Sequence, residues 1–529
     1  MKNNITRYLS AIMLIVFSFA SCTKDLDRKP FYDFTSANVY DDFNNYIEVL
    51  AKLYAGFAIS GQTGPAGNPD ISGIDEGFSN YLRQYWKVQE LTTDEAVIAW
   101  NDGSLPEYHK MTWSSANEFN RAMYNRIYFE VALANEFIRE TTDDKLASRN
   151  ITGEQANEAR QYHAEARFIR ALCYYHALDL FGNVPFVTEN DGIGAFLPQQ
   201  IKRADLFNYI ESELKEITPE LADARTNDYG RADKACAQFL LAKLYLNAVV
   251  YTGQDRYADC LSNCSQIISD GYSLEPEYKN LFRTDNNNSA EIIFPINFDG
   301  VHTQGYGGMT FLIHAPVGGS MNPADFGING GWFGLRTTKS FVTKFNDITG
   351  ATDSRATFYT NGQNLEINDL FNFNDGYAIG KFKNVSSTGV VGSDPTGNFP
   401  DTDYPMFRLA DVYLMYAEAV LRGGGGDRAT ALSYINQLRT RAYGNNSGNI
   451  SDADLTLPFI LDERSRELYW EATRRTDLIR YGLFTSSDYL WPWKGGVKEG
   501  VAVEDYRNLM PIPSTDIIAN PNLIQNPGY

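Results

Sequence analysis

The sequence predicts a mostly α-helical protein with a loop-rich, strand-poor region inserted late in the chain. Three observations carry this. Apolar residues recur at three- and four-residue steps in six segments. Glycines or turn signals stop those segments, as at Gly182 and the run Gly423 to Gly426. Between Asp285 and Asp403 the helical period disappears, and Gly, Asn and Asp take over.

The elements follow in chain order. Lys2 and Arg7 precede an apolar run, Leu9 to Ala20, too short to span a bilayer. Ala20 and Ser21 then precede Cys22, so residues 1–21 read as an export signal ending at a cysteine that becomes lipidated. A multiply acylated Cys22 would anchor the mature chain to a membrane. The alternative is an ordinary export signal followed by an incidental cysteine. Tyr40 to Phe57 has helical spacing, and Gly61 to Gly77 is a turn-rich surface loop.

Glu158 to Phe181 is a long helix with one apolar row through Tyr162, Ala166, Ile169, Cys173, Ala177 and Leu180. A second row, Phe168, Leu172 and Tyr175, lies beside it, so the helix packs on both sides. Helical spacing returns over Ala235 to Val250, Leu409 to Leu421, Ala429 to Ala442 and Leu461 to Ile479. These stretches set Ala among Tyr and Leu, as in Ala242 with Tyr245 and Tyr416 with Ala417. Closely packed hairpins of the tetratricopeptide type need that alternation. The alternative is an ordinary irregular helical domain. In the late region only Glu291 to Ile296 reads as a strand, among long loops such as Asp299–Gly308 and Val317–Gly334. Cys173, Cys236, Cys260 and Cys264 read as free structural thiols.

Composition narrows the function. The chain has 529 residues, with Lys+Arg 46 against Asp+Glu 66 and a net charge of −20. An acidic surface repels phosphate backbones and disfavours nucleic-acid binding. Aromatic content is 14%, with Tyr 33 and Phe 32, which suits a surface that binds by stacking. The sequence has no nucleophile elbow, phosphate loop or metalloprotease motif, and its five His are not paired on a helix.

Three sets of segments stand out: Phe407-Arg408-Leu409-Ala410-Asp411, Glu467-Leu468 with Arg474-Arg475-Thr476-Asp477-Leu478, and Pro511-Ile512-Pro513 with Asn520-Pro521 and Gln525-Asn526-Pro527-Gly528-Tyr529. Together they resemble the SusD/RagB family, surface glycan-binding lipoproteins of the Bacteroidetes. Gly230 to Ala235, Leu244 to Gly253, Tyr489-Leu490-Trp491 and Trp493 to Gly496 look most like the family's starch-binding member. The resemblance covers nearly all of the mature chain. It implies one SusD-like domain over residues 22–529, with an N-terminal part to about 280 and a C-terminal part from about 281. It also implies a non-catalytic protein on the outer membrane, facing outwards, that binds starch or another α-glucan. Its implied partner is a TonB-dependent transporter of the SusC type, which it covers as a lid.

The same resemblance implies a site of Asp75, Arg83, Trp100, Tyr306 and Trp332. Trp100, Tyr306 and Trp332 would form an arc for a curved glucan, and Asp75 and Arg83 would bond its hydroxyls. The family's Asn three residues after the Trp is Gly103 here, so either Asn101 or Asp102 substitutes for it or one sugar contact is lost. Other readings stay open. A fructan or another polysaccharide could replace starch, or the scaffold could bind peptides. A glycoside hydrolase would use two of Asp75, Glu76, Asp94 and Glu95. No cofactor is implied; a structural calcium in the Asn/Asp-rich loops is compatible with the sequence, although no EF-hand spacing occurs.

Overall fold

The structure, a computed structural model, describes residues 39–529 except 68, 76, 193 and 195. The signal segment, Cys22 and Glu76 therefore lie outside the described residues. Residues Ile47–Tyr529 form one compact unit, which carries the site.

Twelve principal helices build the scaffold: α1 (Asn44–Ala58), α2 (Tyr81–Glu90), α3 (Glu118–Glu140), α4 (Gly153–Phe181), α5 (Arg203–Ile217), α6 (Lys234–Leu246), α7 (Tyr257–Ser269), α8 (Gly308–His314), α9 (Leu409–Leu421), α10 (Arg428–Tyr443), α11 (Leu457–Leu468) and α12 (Arg474–Arg480). Many start on a capping side chain. Asn80 accepts from the Arg83 N–H, Asn117 from Phe119 and Asn120, Asp233 from Cys236, and Asp427 from Ala429 and Thr430. Successive helices pack as hairpins: α3 on α4, α4 on α5, α6 on α7, α7 on α9, and α9 on α10. The mostly helical, hairpin-built fold is the one expected. The double apolar face of α4 is explained by burial of every residue from Phe168 to Phe181. Gly424 is a close approach: a Cβ there would sit 2.7 Å from the Tyr257 carbonyl carbon at the start of α7. The four cysteines of the scaffold are free and buried.

Strands are few and short. β1 (Val97–Ile98), β2 (Ile292–Ile296), β3 (Leu335–Arg336) and β4 (Tyr404–Arg408) make two antiparallel ladders, β1 with β3 and β2 with β4. The strand expected at Glu291–Ile296 is β2.

The structure corrects three boundaries. The stretch expected as one helix over Leu461–Ile479 is two, α11 and α12. Between them Trp470 and Ala472 take φ of 62° and 57°. Trp470 is buried there, with its indole N–H donated to the Glu95 carbonyl at 3.0 Å and its own carbonyl accepting from Trp86 at 2.9 Å. These tertiary bonds outweigh the local helical period. Ala235–Val250 breaks at Asn247, whose amide caps the Lys243 carbonyl at 2.9 Å. The long α4 begins at Gly153, five residues before the expected start. Helix α8, inside the region expected to be loop, is a further difference.

The motifs Phe407–Asp411 and Arg474–Leu478 lie in the core. Arg408 pairs with Glu291, Glu467 and Glu471 at 2.8, 2.7 and 2.6 Å, tying β4 to the end of α11. Asp411 pairs with Arg464, and Asp477 with both Arg464 and Arg480, each at 2.7 Å. Phe407 stacks on Phe239, with centroids 4.3 Å apart. The closing segment is a staple: the Asn526 amide donates to the Phe181 and Met510 carbonyls, both at 2.8 Å, and Gln525 bonds Ile512 in both directions. Buried charges at this density persist because each is paired and hydrogen-bonded.

Candidate functional site

The site is assembled on the two-residue ladder of β1 with β3. Val97 opposes Arg336 and Ile98 opposes Leu335. The Ala99 N–H continues the ladder to the Gly334 carbonyl at 2.9 Å. Val97 is packed against Ile367 and Leu370, with Trp493 over them, so the ladder rests on a small apolar cluster. This register sets Trp100 beside the segment that carries Trp332. The Trp100 indole N–H donates to the Trp332 carbonyl at 3.0 Å, and the two rings stand 6.3 Å apart. Gly334 makes the approach possible, because a Cβ there would come within 2.7 Å of the Trp100 ring.

Helix α8 is the second support. Trp332, Phe333 and Gly334 donate in succession to the carbonyls of His314, Val317 and Ala315, at 2.9, 3.0 and 2.7 Å. His314 stacks under Trp332 at 4.9 Å and 25°. Its two ring nitrogens lie 2.7 Å from the Gly330 carbonyl and 2.8 Å from the Asn398 carbonyl. Burial holds this imidazole below its ordinary value against the pull of those two acceptors.

The third ring enters from the preceding loop. Tyr306 lies 6.3 Å from Trp332 and 5.8 Å from Phe399. Its carbonyl accepts from Arg83 Nη1 at 2.7 Å, and Gly77 shares that nitrogen at 3.3 Å. Arg83 is mostly buried, with its guanidinium 4.5 Å from the Phe311 ring centre and 5.8 Å from Trp100. Burial lowers it to about 10, although Asp75 and Asp102 raise it, so it stays cationic at neutral pH. The Asp75 carboxylate is exposed and caps its own turn through the Phe78 N–H at 3.0 Å. A point just off Gly77 lies 3.2 Å from Asp75 Oδ1 and 3.9 Å from the Tyr306 ring, so carboxylate and phenol share one rim.

The structure thus brings together Asp75, Arg83, Trp100, Tyr306 and Trp332. The three rings are half-buried. Asn101 and Asp102 are exposed directly beyond Trp100. Gly103 has φ of 46°, and a Cβ there would lie 1.8 Å from Glu118 Oε1. No side chain fits at 103 while Glu118 holds the Ser104 N–H. Arg83 corrects an expectation in part: Nη1 is committed to two carbonyls, so this residue clamps the Tyr306 loop and offers a ligand only what remains of its fork.

Asp94 and Glu95 do not lie at the site. Asp94 is buried, held by Arg474 at 2.7 and 3.0 Å and by the Tyr489 hydroxyl at 2.6 Å. Burial works to raise it, but Arg474 and Lys344 hold it below the usual carboxylate range. Burial raises Glu95 to about 7, and its oxygen accepts from Ser465 at 2.6 Å. Neither can reach a polysaccharide. Among the described residues no group of three or more His, Cys, Asp or Glu is arranged to hold a metal ion. The loop carboxylates Asp375 and Asp394 instead accept N–H groups of their own turns. Among the described residues no helix is long and apolar enough to cross a membrane.

Sequence reasoning missed His314, Phe311 and Phe333. Phe333 carried a signal, since it adjoins Trp332 between glycines. The other two sit in a helix whose apolar run, Met309 to Ile313, is too short to show a period.

Scaffold and site together define the class: a helical-hairpin protein that presents a shallow aromatic arc with a charged rim. The SusD family model matches residues 332–529. The starch-binding protein SusD of Bacteroides thetaiotaomicron is 35% identical over 99% of both chains. SusD-like protein P25 of Formosa agariphila is 29% identical, over 69% of this chain and 73% of its own. Among solved structures, surface glycan-binding protein A of B. thetaiotaomicron, in complex with laminarihexaose, superposes with a TM-score of 0.69 at 20% identity, covering 91% of this chain and 99% of its own. The chain belongs to the SusD family.

Proposed function

We propose that this protein is a non-catalytic, surface-exposed lipoprotein that binds starch-type α-glucan and passes it to a TonB-dependent transporter of the SusC type. The observation that carries the reading is the arc of Trp100, Tyr306 and Trp332. Rings 6.3 Å apart and mutually tilted give successive faces for the C–H sides of a curved chain of sugars. Asp75, Asn101 and Asp102 at the rim supply groups for hydroxyls. The identity to a starch-binding relative over the whole chain supports α-glucan as the ligand. Family membership supports the transporter, the outer-membrane location and lipidation at Cys22. An open surface with few polar anchors suits weak binding, about −4 to −7 kcal/mol, or millimolar to ~10 µM. Clustered sites on a polymer raise this by avidity.

The test is native gel migration of residues 23–529 through amylopectin, laminarin, inulin and levan, beside Trp332→Ala. Retardation in amylopectin alone, lost in the variant, supports the reading. Retardation only in another polymer replaces the ligand and keeps the site. Release of reducing ends from a soluble glucan would overturn the non-catalytic reading.

A further inference from the structure

Phe333 combines two unfavourable features. Its φ is 53°, a left-handed conformation that a bulky residue rarely adopts. It is also 52% exposed, directly beside the central ring of the arc. Such strain persists only where the surroundings over-determine it, and it clusters at binding sites. The surroundings here do so: the N–H groups of Trp332, Phe333 and Gly334 are all bonded to the turn after α8.

The ring itself is braced. Phe333 meets the buried Phe373 edge to face, with centroids 5.5 Å apart and planes at 65°. Gly318 leaves the room both rings need, since a Cβ there would lie 2.7 Å from Phe333 and 2.8 Å from Phe373. A polar rim borders this pair. Asn374 is exposed, and its Oδ1 lies 3.4 Å from a point just off Gly319. Ser320 beside it contacts the Tyr359 hydroxyl at 3.2 Å. The Phe333 ring stands apart from the three arc rings, which contact one another and His314.

We propose that Phe333, backed by Phe373 and rimmed by Asn374 and Ser320, is a second stacking platform. It takes a further pyranose unit of a polysaccharide whose nearer units lie on Trp100, Tyr306 and Trp332. The inference rests on the glycan-binding reading and adds an outer subsite to it. A braced, exposed aromatic face with an amide at its edge is what the C–H face and hydroxyls of a sugar ring recognise. The subsite makes affinity depend on chain length.

The test compares wild type, Phe333→Gly and Phe333→Tyr by calorimetry with maltotriose and maltoheptaose. Glycine is at ease at this φ, so Phe333→Gly should raise the melting temperature while it weakens maltoheptaose about five- to tenfold. Maltotriose binding should stay within about twofold, and Phe333→Tyr should keep both affinities. Equal losses for both sugars would overturn the proposal, because Phe333 would then act by placing Trp332. Unchanged maltoheptaose binding would overturn it too, while leaving the arc in place. Absence of binding by folded wild type would overturn the underlying reading instead.

Discussion

Arg83 donates to the carbonyl of Tyr306 at 2.7 Å, across a separation of 223 residues. A cation from α2 thus fixes the loop that presents one ring of the arc. Lysine ends in a point charge and lacks the planar guanidinium that lies 4.5 Å from the Phe311 ring centre, so it does not reproduce this clamp. We expect Arg83→Lys to weaken glucan binding about tenfold and to lower stability by about 1–3 kcal/mol, the scale of a charged hydrogen bond. Calorimetry and urea unfolding would measure both.

Trp332 sits at the centre, between Trp100, Tyr306 and His314. Trp332→Ala should abolish retardation in amylopectin with an unchanged circular dichroism spectrum. Trp100→Phe keeps a ring but loses the N–H donated to the Trp332 carbonyl. It should therefore bind about three- to tenfold more weakly, equivalent to roughly 1 kcal/mol.

Gly103 is excluded from bearing a side chain by its φ of 46° and by Glu118 Oε1, 1.8 Å from a built Cβ. Gly103→Asn should cost about 1–2 kcal/mol and restore no affinity. Tighter binding by that variant would show that Glu118 yields.

Glu130 is buried against α1, where a Cβ at Gly56 would lie 1.7 Å from its Oε1, and neither of its oxygens is hydrogen-bonded to a described residue. Burial raises it to about 8, against the opposing pull of Arg126 and Lys52. The folded chain therefore holds a proton that the unfolded chain releases near 4.5. Stability from this group is full below 4.5 and falls as pH rises towards 8. Glu130→Gln should flatten that slope, which is worth up to about 4 kcal/mol, in urea midpoints measured from pH 5 to 9.

Arg474 neutralises Asp94 and reaches Glu95 at 3.5 Å in a buried setting. Arg474→Met leaves Glu95 without its cation and Asp94 with only Lys344, at 3.9 Å. It should destabilise the fold by about 3–5 kcal/mol. Glucan affinity measured below the new melting point should not change. Lost affinity in a folded variant would bring those carboxylates back to the site.

The fold was legible where period and composition agree. The two apolar rows of α4 and the four-glycine stop after α9 read directly as helix and turn. The site residues were legible through resemblance, because a Trp in Gly330-Gly331-Trp332 has no pattern that separates a platform from a core ring. The breaks at Asn247 and Trp470 were not legible. At Trp470 the cause is tertiary bonding to Trp86 and Glu95, far along the chain; at Asn247 the local cap on Lys243 is joined by Arg480, which donates to the Asn247 side-chain oxygen at 2.9 Å. Phe311 and His314 stayed hidden because their importance comes from what lies above them: the Arg83 fork and the Trp332 face.

The two-residue ladder between Val97–Ile98 and Leu335–Arg336 also ties the site's completion to the joining of distant stretches of chain. The three rings are strewn over more than two hundred positions, and only Trp332 lies within the family-matched stretch 332–529. Closing so long a loop is slow and gains nothing until both strands are present. A chain that stopped short of Leu335 would carry Trp100 with neither its ladder partner nor the Trp332 carbonyl to receive its indole N–H. The arc therefore has no partial form: its rings become one surface only when both halves of that ladder are in place.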